Sequence, residues 1–169
     1  MKHLTAFALL ISLLLTSCGP QEQQATLSPE ERTGLYETAI EAARDQQTND
    51  AVPLITEADD DAAQTVFEML NLSAEDMSAY AISVSLMNVK AYAIAAIYPA
   101  AGKEDSVLES LRRFVSSQQQ SFKQYLADQY EIAVNTRLET LEDGTVLLVM
   151  SENQDALFDS IRDVIERGK

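Results

Sequence analysis

The stretch YAISVSLMNVKAYAIAAIY, residues 80–98, decides the fold. It is almost unbroken in apolar character, and its length approaches the ~20 residues that span a bilayer. Asn88 and Lys90 sit at its middle, however, and a Lys at the centre of hydrocarbon costs ~2.5 kcal/mol or more. Ile82, Val84 and Leu86 alternate with Ser83 and Ser85, which is the period of a strand and not of a helix. Tyr92, Ile94, Ala96 and Tyr98 resume the alternation beyond the polar break. The stretch reads as a β-hairpin turning near Asn88, with Pro99 and Gly102 ending it; a long Ala-rich helix is the alternative. On the hairpin reading, Ile82, Val84 and Leu86 share one buried face while Ser83 and Ser85 point elsewhere.

Downstream, Glu104 and Asp105 open a helix whose first turn they suit electrostatically. Val107, Leu111, Phe114, Val115, Gln118, Phe122 and Tyr125 mark one of its faces out to about Leu126. A second hairpin is expected from Ile132–Leu141 and Thr145–Met150, because Asp143-Gly144 between β-prone runs is a strong turn signal. Ser151 or Asn153 then caps a last helix with the stripe Leu157, Phe158, Ile161, Val164 and Ile165. This half of the chain reads ββα-ββα. It predicts an α+β fold: an antiparallel four-stranded sheet built from two ββα units, with helices packed on one face.

Upstream, Ser28-Pro29-Glu30-Glu31 supplies an N-cap, a first-position Pro and the Glu of a capping box. Leu35, Tyr36, Ala39, Ile40 and Ala43 give the helix that follows an apolar face as far as about Arg44. Gln46–Asp50 reads as a loop. Val52–Ile55 reads as a short extended piece that Pro53 keeps out of the sheet centre. A further helix is expected over about 60–70, and Ser73 caps a brief turn through Asp76. These are additional N-terminal helices on the ββα frame.

The first 27 residues read as an address. Lys2 and His3 precede the apolar run Phe7–Leu15, which is too short to span a bilayer, and Leu15-Thr16-Ser17-Cys18 matches a bacterial lipobox. The alternative is an ordinary signal peptide with an accidental Cys. The expected organisation is a lipoprotein signal peptide over 1–17, a lipidated Cys18 with a flexible tether over 18–27, and a single α+β domain over 28–169. Acyl chains on Cys18 would hold the domain at the extracytoplasmic face of a cell membrane. Losing Lys2 with the signal leaves 11 basic residues against 27 acidic ones, a balance near −16 compared with −15 for the whole chain. A surface of that sign repels phosphate backbones, so no nucleic-acid partner is expected.

Several segments together resemble a known family. The lipobox, the early helix, Met87-Asn88-Val89-Lys90-Ala91 and the stretch from Arg112 to Ser151 look like a lipoprotein family of Gram-positive anaerobes, catalogued as domain of unknown function 4358. Within the long stretch the similarity is carried by Phe122, Tyr125, Asp128-Gln129-Tyr130-Glu131, Gly144, Val146-Leu147-Leu148-Val149 and Ser151. It extends over most of residues 30–167. Thr145 departs from the pattern, which has an aromatic residue after the turn Gly. The resemblance implies an envelope lipoprotein and supplies no activity.

After removal of the signal the chain has no His, no Trp and no free thiol. That removes Ser-His-Asp and Cys-His nucleophilic sites and any His or Cys ligand set for zinc or copper. No cofactor, metal or catalytic residue is assigned. Asp59-Asp60-Asp61 lacks the Gly turn and distant Glu of a calcium loop, and reads as charge at a helix N-terminus. Asn88 and Lys90 form a polar island that is either a solvated turn or an anion contact on an acidic protein. With Arg113 and Tyr125 they are the candidate ligand contacts, and Tyr92, Tyr98, Tyr125 and Tyr130 are of a kind that lines grooves. The expected function is a non-catalytic module binding an envelope protein, peptide or small ligand. The alternative is a hydrolase working through carboxylates or Ser/Tyr without His. A deep pocket with converging ionisable groups would favour the enzyme, and a shallow apolar patch the module.

Overall fold

The computed structural model describes residues 27–168. The hairpin forms where the alternation places it: β1 (Met77–Val84) pairs antiparallel with β2 (Ala93–Pro99), Tyr80 opposite Ile97 and Val84 opposite Ala93. A second hairpin joins β3 (Arg137–Thr140) to β4 (Val146–Met150) through Asp143-Gly144, with Gly144 at φ +90°, where a Cβ is strained. β4 pairs with β2, so the sheet runs β1-β2-β4-β3 with every neighbour antiparallel. The helices are α1 (Pro29–Ala43), α2 (Gln46–Ala51), α3 (Ala63–Leu70), α4 (Glu104–Phe122), α5 (Ala127–Val134) and α6 (Gln154–Arg167). The fold is α+β. None of the helices described is long and apolar enough to cross a membrane. The signal over 1–17, Cys18 and nearly all of the tether over 18–27 lie outside the described residues.

Helices cover both faces of the sheet, which corrects the expectation of one. On one face, Val66 and Leu70 of α3 and Leu111 and Phe114 of α4 close over Ile82, Val84, Ile97 and Leu148. On the other, Tyr36 and Ile40 of α1 and Phe158 and Ile161 of α6 close over Ala81, Ile94, Leu147 and Val149. The burial of the strands gives the reason. β4 is buried at every position, and a strand sunk on both sides reads as an unbroken apolar run, as Val146–Met150 does. Edge strand β3 is short and carries Arg137 and Glu139, while edge strand β1 is met by a bridge from Ile55 to Ile82. Every strand, and each helix that closes over them, falls within Pro29–Arg167, so this segment carries both cores.

Local chemistry explains most of the elements. Ser28 and Glu31 form the expected capping box at α1, and Ser73 and Asp76 form one at the 3₁₀ turn Ala74–Asp76. Gln46–Asp50, expected as a loop, is helical because Asp45 accepts from the Thr48 N–H at 2.8 Å and starts α2. The strand expected over Ile132–Leu141 is helix α5 up to Val134, and only Arg137–Thr140 is strand. Tyr130, Ile132 and Ala133 pack into the core beneath α4, and this burial outweighs the β preference of Ile132 and Val134. Tyr125 does not belong to the apolar face of α4; it is 84% exposed in the turn between α4 and α5. Leu86 is exposed as well, since pairing ends with the Ser85 N–H to Tyr92 carbonyl bond and the loop then leaves the sheet. Ser83 does point away from Ile82 and Val84, but into the second covered face, where Arg44 and the Val52 carbonyl meet its hydroxyl; Ser85, just past the end of β1, is buried as well.

A closed ring of hydrogen bonds locks the start of α1 to the β3–β4 turn. Arg32 Nη1 lies 2.6 Å from Asp143 Oδ2 and donates at 3.5 Å to the Tyr36 hydroxyl. The Thr145 hydroxyl donates to Asp143 at 2.9 Å, so the 2.6 Å contact between Tyr36 and Thr145 is donated by Tyr36. The Arg32 guanidinium also stacks 3.9 Å from the Tyr98 ring centre. Burial pushes the Tyr36 phenol up from 10.0 to about 12, against the opposing pull of its Thr145 and Arg32 partners. Thr145, where the resemblance led to an expected aromatic residue, links Tyr36 to Asp143 in this ring.

Candidate functional site

The opposite end of the sheet, where β1 and β4 finish and β2 begins, opens into a cleft of about 830 Å³. Its walls come from four places: Arg44 and Asp45 at the α1–α2 junction, Met87 and Lys90 in the β1–β2 loop, Gln129 of α5, and Asn153 at the head of α6. The volume falls in the range of small-molecule sites, about 300–1,000 Å³.

Arg44 is the most constrained of these residues. It ends α1 with an extended backbone, so its side chain leaves the helix and turns in toward the sheet, where it is 8% exposed. Its Nε donates to Asn49 Oδ1 at 2.8 Å, and Nη1 faces Ser83 Oγ at 2.8 Å, the Val52 carbonyl at 3.1 Å and the Tyr92 hydroxyl at 3.2 Å. The Ser83 hydroxyl itself donates to the same Val52 carbonyl at 2.8 Å. Every one of these acceptors is neutral.

The surrounding residues hold that geometry. Asp45 is occupied as the α2 cap, and bonds from the Thr48 N–H and hydroxyl hold its carboxyl below the usual carboxylate range. Gln129 accepts from the Ala91 N–H at 2.8 Å, which ties the base of the β1–β2 loop to α5. Lys90 places its ammonium 5.6 Å from the Tyr92 ring centre, on the ring whose hydroxyl touches Arg44.

Of the four candidate contacts read from sequence, the structure brings Lys90 alone into the cleft. Asn88 is exposed in the loop and does not line it. Arg113 pairs with Glu109 at 3.1 Å along the exposed side of α4, and Tyr125 projects from the α4–α5 turn. Among the tyrosines that suit a groove, Tyr92 lines this one. Arg44 and Gln129 carried no such expectation. The available signal was Ser83, a hydroxyl between Ile82 and Val84 that demands a buried polar partner. Asp59, Asp60 and Asp61 are exposed ahead of α3, where Asp60 accepts from the Ala62 N–H at 2.8 Å. Among the described residues no group of three or more His, Cys, Asp or Glu is placed to hold a metal ion.

The model of a domain of unknown function (DUF4358) matches residues 50–151, well over half of the chain. The chain belongs to this family. The DUF4358 segment contains all four strands and, within the cleft, Lys90, Tyr92, Gln129 and Ser151, whereas Arg44 comes from α1, ahead of the match. No curated protein and no solved structure matches the chain.

Proposed function

We propose that this DUF4358 chain is a membrane-anchored extracytoplasmic lipoprotein whose domain binds a small ligand in the cleft beside Arg44 without turning it over. The anchor rests on the lipobox ending at Cys18 and on the resemblance to a lipoprotein family. The binding role rests on one observation: a cleft of ligand size whose inner wall holds a buried, immobilised guanidinium. A concave site narrows the module to a small ligand in preference to a flat partner surface. An enzyme would also present a cleft. What favours binding is the character of the groups, since Arg44 is permanently cationic and Asp45 is engaged as a helix cap. The Thr48 hydroxyl does meet the Asp45 carboxylate at 3.0 Å, but as part of the helix cap, and a carboxyl held below its usual range is a weak activating base.

Amide chemical-shift mapping of residues 27–169 against a panel of anionic, neutral and cationic fragments tests this reading. Shifts should centre on Arg44, the β1–β2 loop and the start of α6, and the bound fragments should be recovered unaltered. Shifts centred elsewhere, or none with any fragment, would overturn it; conversion of a fragment would favour the hydrolase.

A further inference from the structure

Two arginines are buried at the two ends of α1, and they are treated differently. Arg32 meets Asp143 at 2.6 Å, and Arg137, the other arginine that stacks on a ring, has Glu139 at 2.6 Å and Asp159 at 2.9 Å. Arg44 has no carboxylate within 4.0 Å among the described residues. With 27 acidic residues against 12 basic ones, the chain does not lack carboxylates to place there. Burying a charge without a counter-charge is costly, and neutral acceptors offset only part of that cost.

The unused hydrogen-bonding capacity points the same way. Nε and Nη1 of Arg44 are committed, but Nη2 has no hydrogen bond among the described residues. Nor is it sealed from solvent, because no buried side-chain nitrogen or oxygen described is without a partner. Arg44 borders the cleft, and the carboxylate site proposed next takes that amino group to face it. The Tyr92 hydroxyl accepts from Arg44 and keeps its own proton to donate. Lys90 adds a second cation on the same ring. Both cations thus meet one point of the lining, the Tyr92 side chain, and the guanidinium is already held in place before any ligand arrives.

We propose that this point is a carboxylate site: the cleft takes a small monoanionic carboxylic acid, its carboxylate on Arg44 Nη2 and the Tyr92 hydroxyl with Lys90 alongside. The inference rests on the cleft being the ligand site. A monoanion fits better than a phosphate dianion because Asp45 and Glu152 also line the cleft and the chain carries −15. Met87, Val89, Ile132 and Leu157 supply an apolar stretch of the wall beside Ser151 and Asn153, so the acid carries a hydrocarbon body.

The test is calorimetric titration of residues 27–169 with N-acetyl-L-leucine, N-acetyl-L-leucinamide and inorganic phosphate. The acid should bind at least ten-fold more tightly than the amide, and phosphate more weakly than the acid. Lys90→Gln, at an exposed position, and Tyr92→Phe, which keeps the ring, should each weaken the acid several-fold and the amide by clearly less. If the amide binds in the cleft as well as the acid, or phosphate binds better, the carboxylate inference falls while the small-ligand reading stands. If neither compound nor any fragment of the panel enters the cleft, both fall.

Discussion

Tyr36→Phe removes one oxygen from the ring of Arg32, Tyr36, Thr145 and Asp143, and its effect should change sign with pH. Near pH 8 the Thr145 hydroxyl loses the donor it meets at 2.6 Å, while Arg32 loses only a long 3.5 Å contact and keeps Asp143. The loss is that of one good buried hydrogen bond, about 1 kcal/mol. Alkali reverses the balance. The phenol rises from 10.0 in the unfolded chain to about 12 in the fold, chiefly through burial. A raised value means stability that is complete below pH 10 and lost as the pH climbs through 12, because the unfolded chain ionises first. Two pH units correspond to roughly 3 kcal/mol. The wild type should therefore be about 1 kcal/mol more stable than Tyr36→Phe at pH 8, and the variant more stable by 1–2 kcal/mol near pH 12. Urea unfolding followed by circular dichroism at intervals from pH 8 to pH 12 reads the difference. A gap that stays constant, or that widens in favour of the wild type, would refute the placement of Tyr36 in this ring.

Gly144→Ala should destabilise by about 1 kcal/mol or more, read as a fall in the urea midpoint, because φ +90° strains any Cβ. Leu148→Ala opens a hole in the buried face of the central strand β4 and should cost roughly 2–5 kcal/mol, with a clear drop in melting temperature. Cys18→Ser should abolish acylation and release the domain from the membrane fraction, which fatty-acid labelling and fractionation will show; label retained on the variant would contradict the anchor.

The sheet was largely legible because its signals are local. Alternation around Asn88, Asp-Gly at 143–144, the capping box at Ser28 and the cap at Ser73 each act within a few residues, and the structure uses all of them. Where the reading failed, a distant partner decided. α5 is helical because Tyr130, Ile132 and Ala133 pack beneath α4, and nothing within Ala127–Val134 reports that neighbour. The second helix layer was hidden for a related reason: Ser83 and Ser85 look like a solvated face, yet α1 and Arg44 cover Ser83. The cleft was the least legible feature. Lys90 was visible as a cation in an apolar run. Arg44 looked like the ordinary basic end of a helix, and only its bonds to Val52, Ser83 and Tyr92, from 8 to 48 residues away, give it a different meaning.

A crystal of residues 27–169 grown with N-acetyl-L-leucine tests the role of Arg44 most directly. The carboxylate should lie within hydrogen-bonding distance of Arg44 Nη2 and the Tyr92 hydroxyl, with the leucine side chain against Met87 and Leu157. Density showing the acid bound in the cleft with its carboxylate turned toward solvent, or bound elsewhere on the molecule, would contradict it.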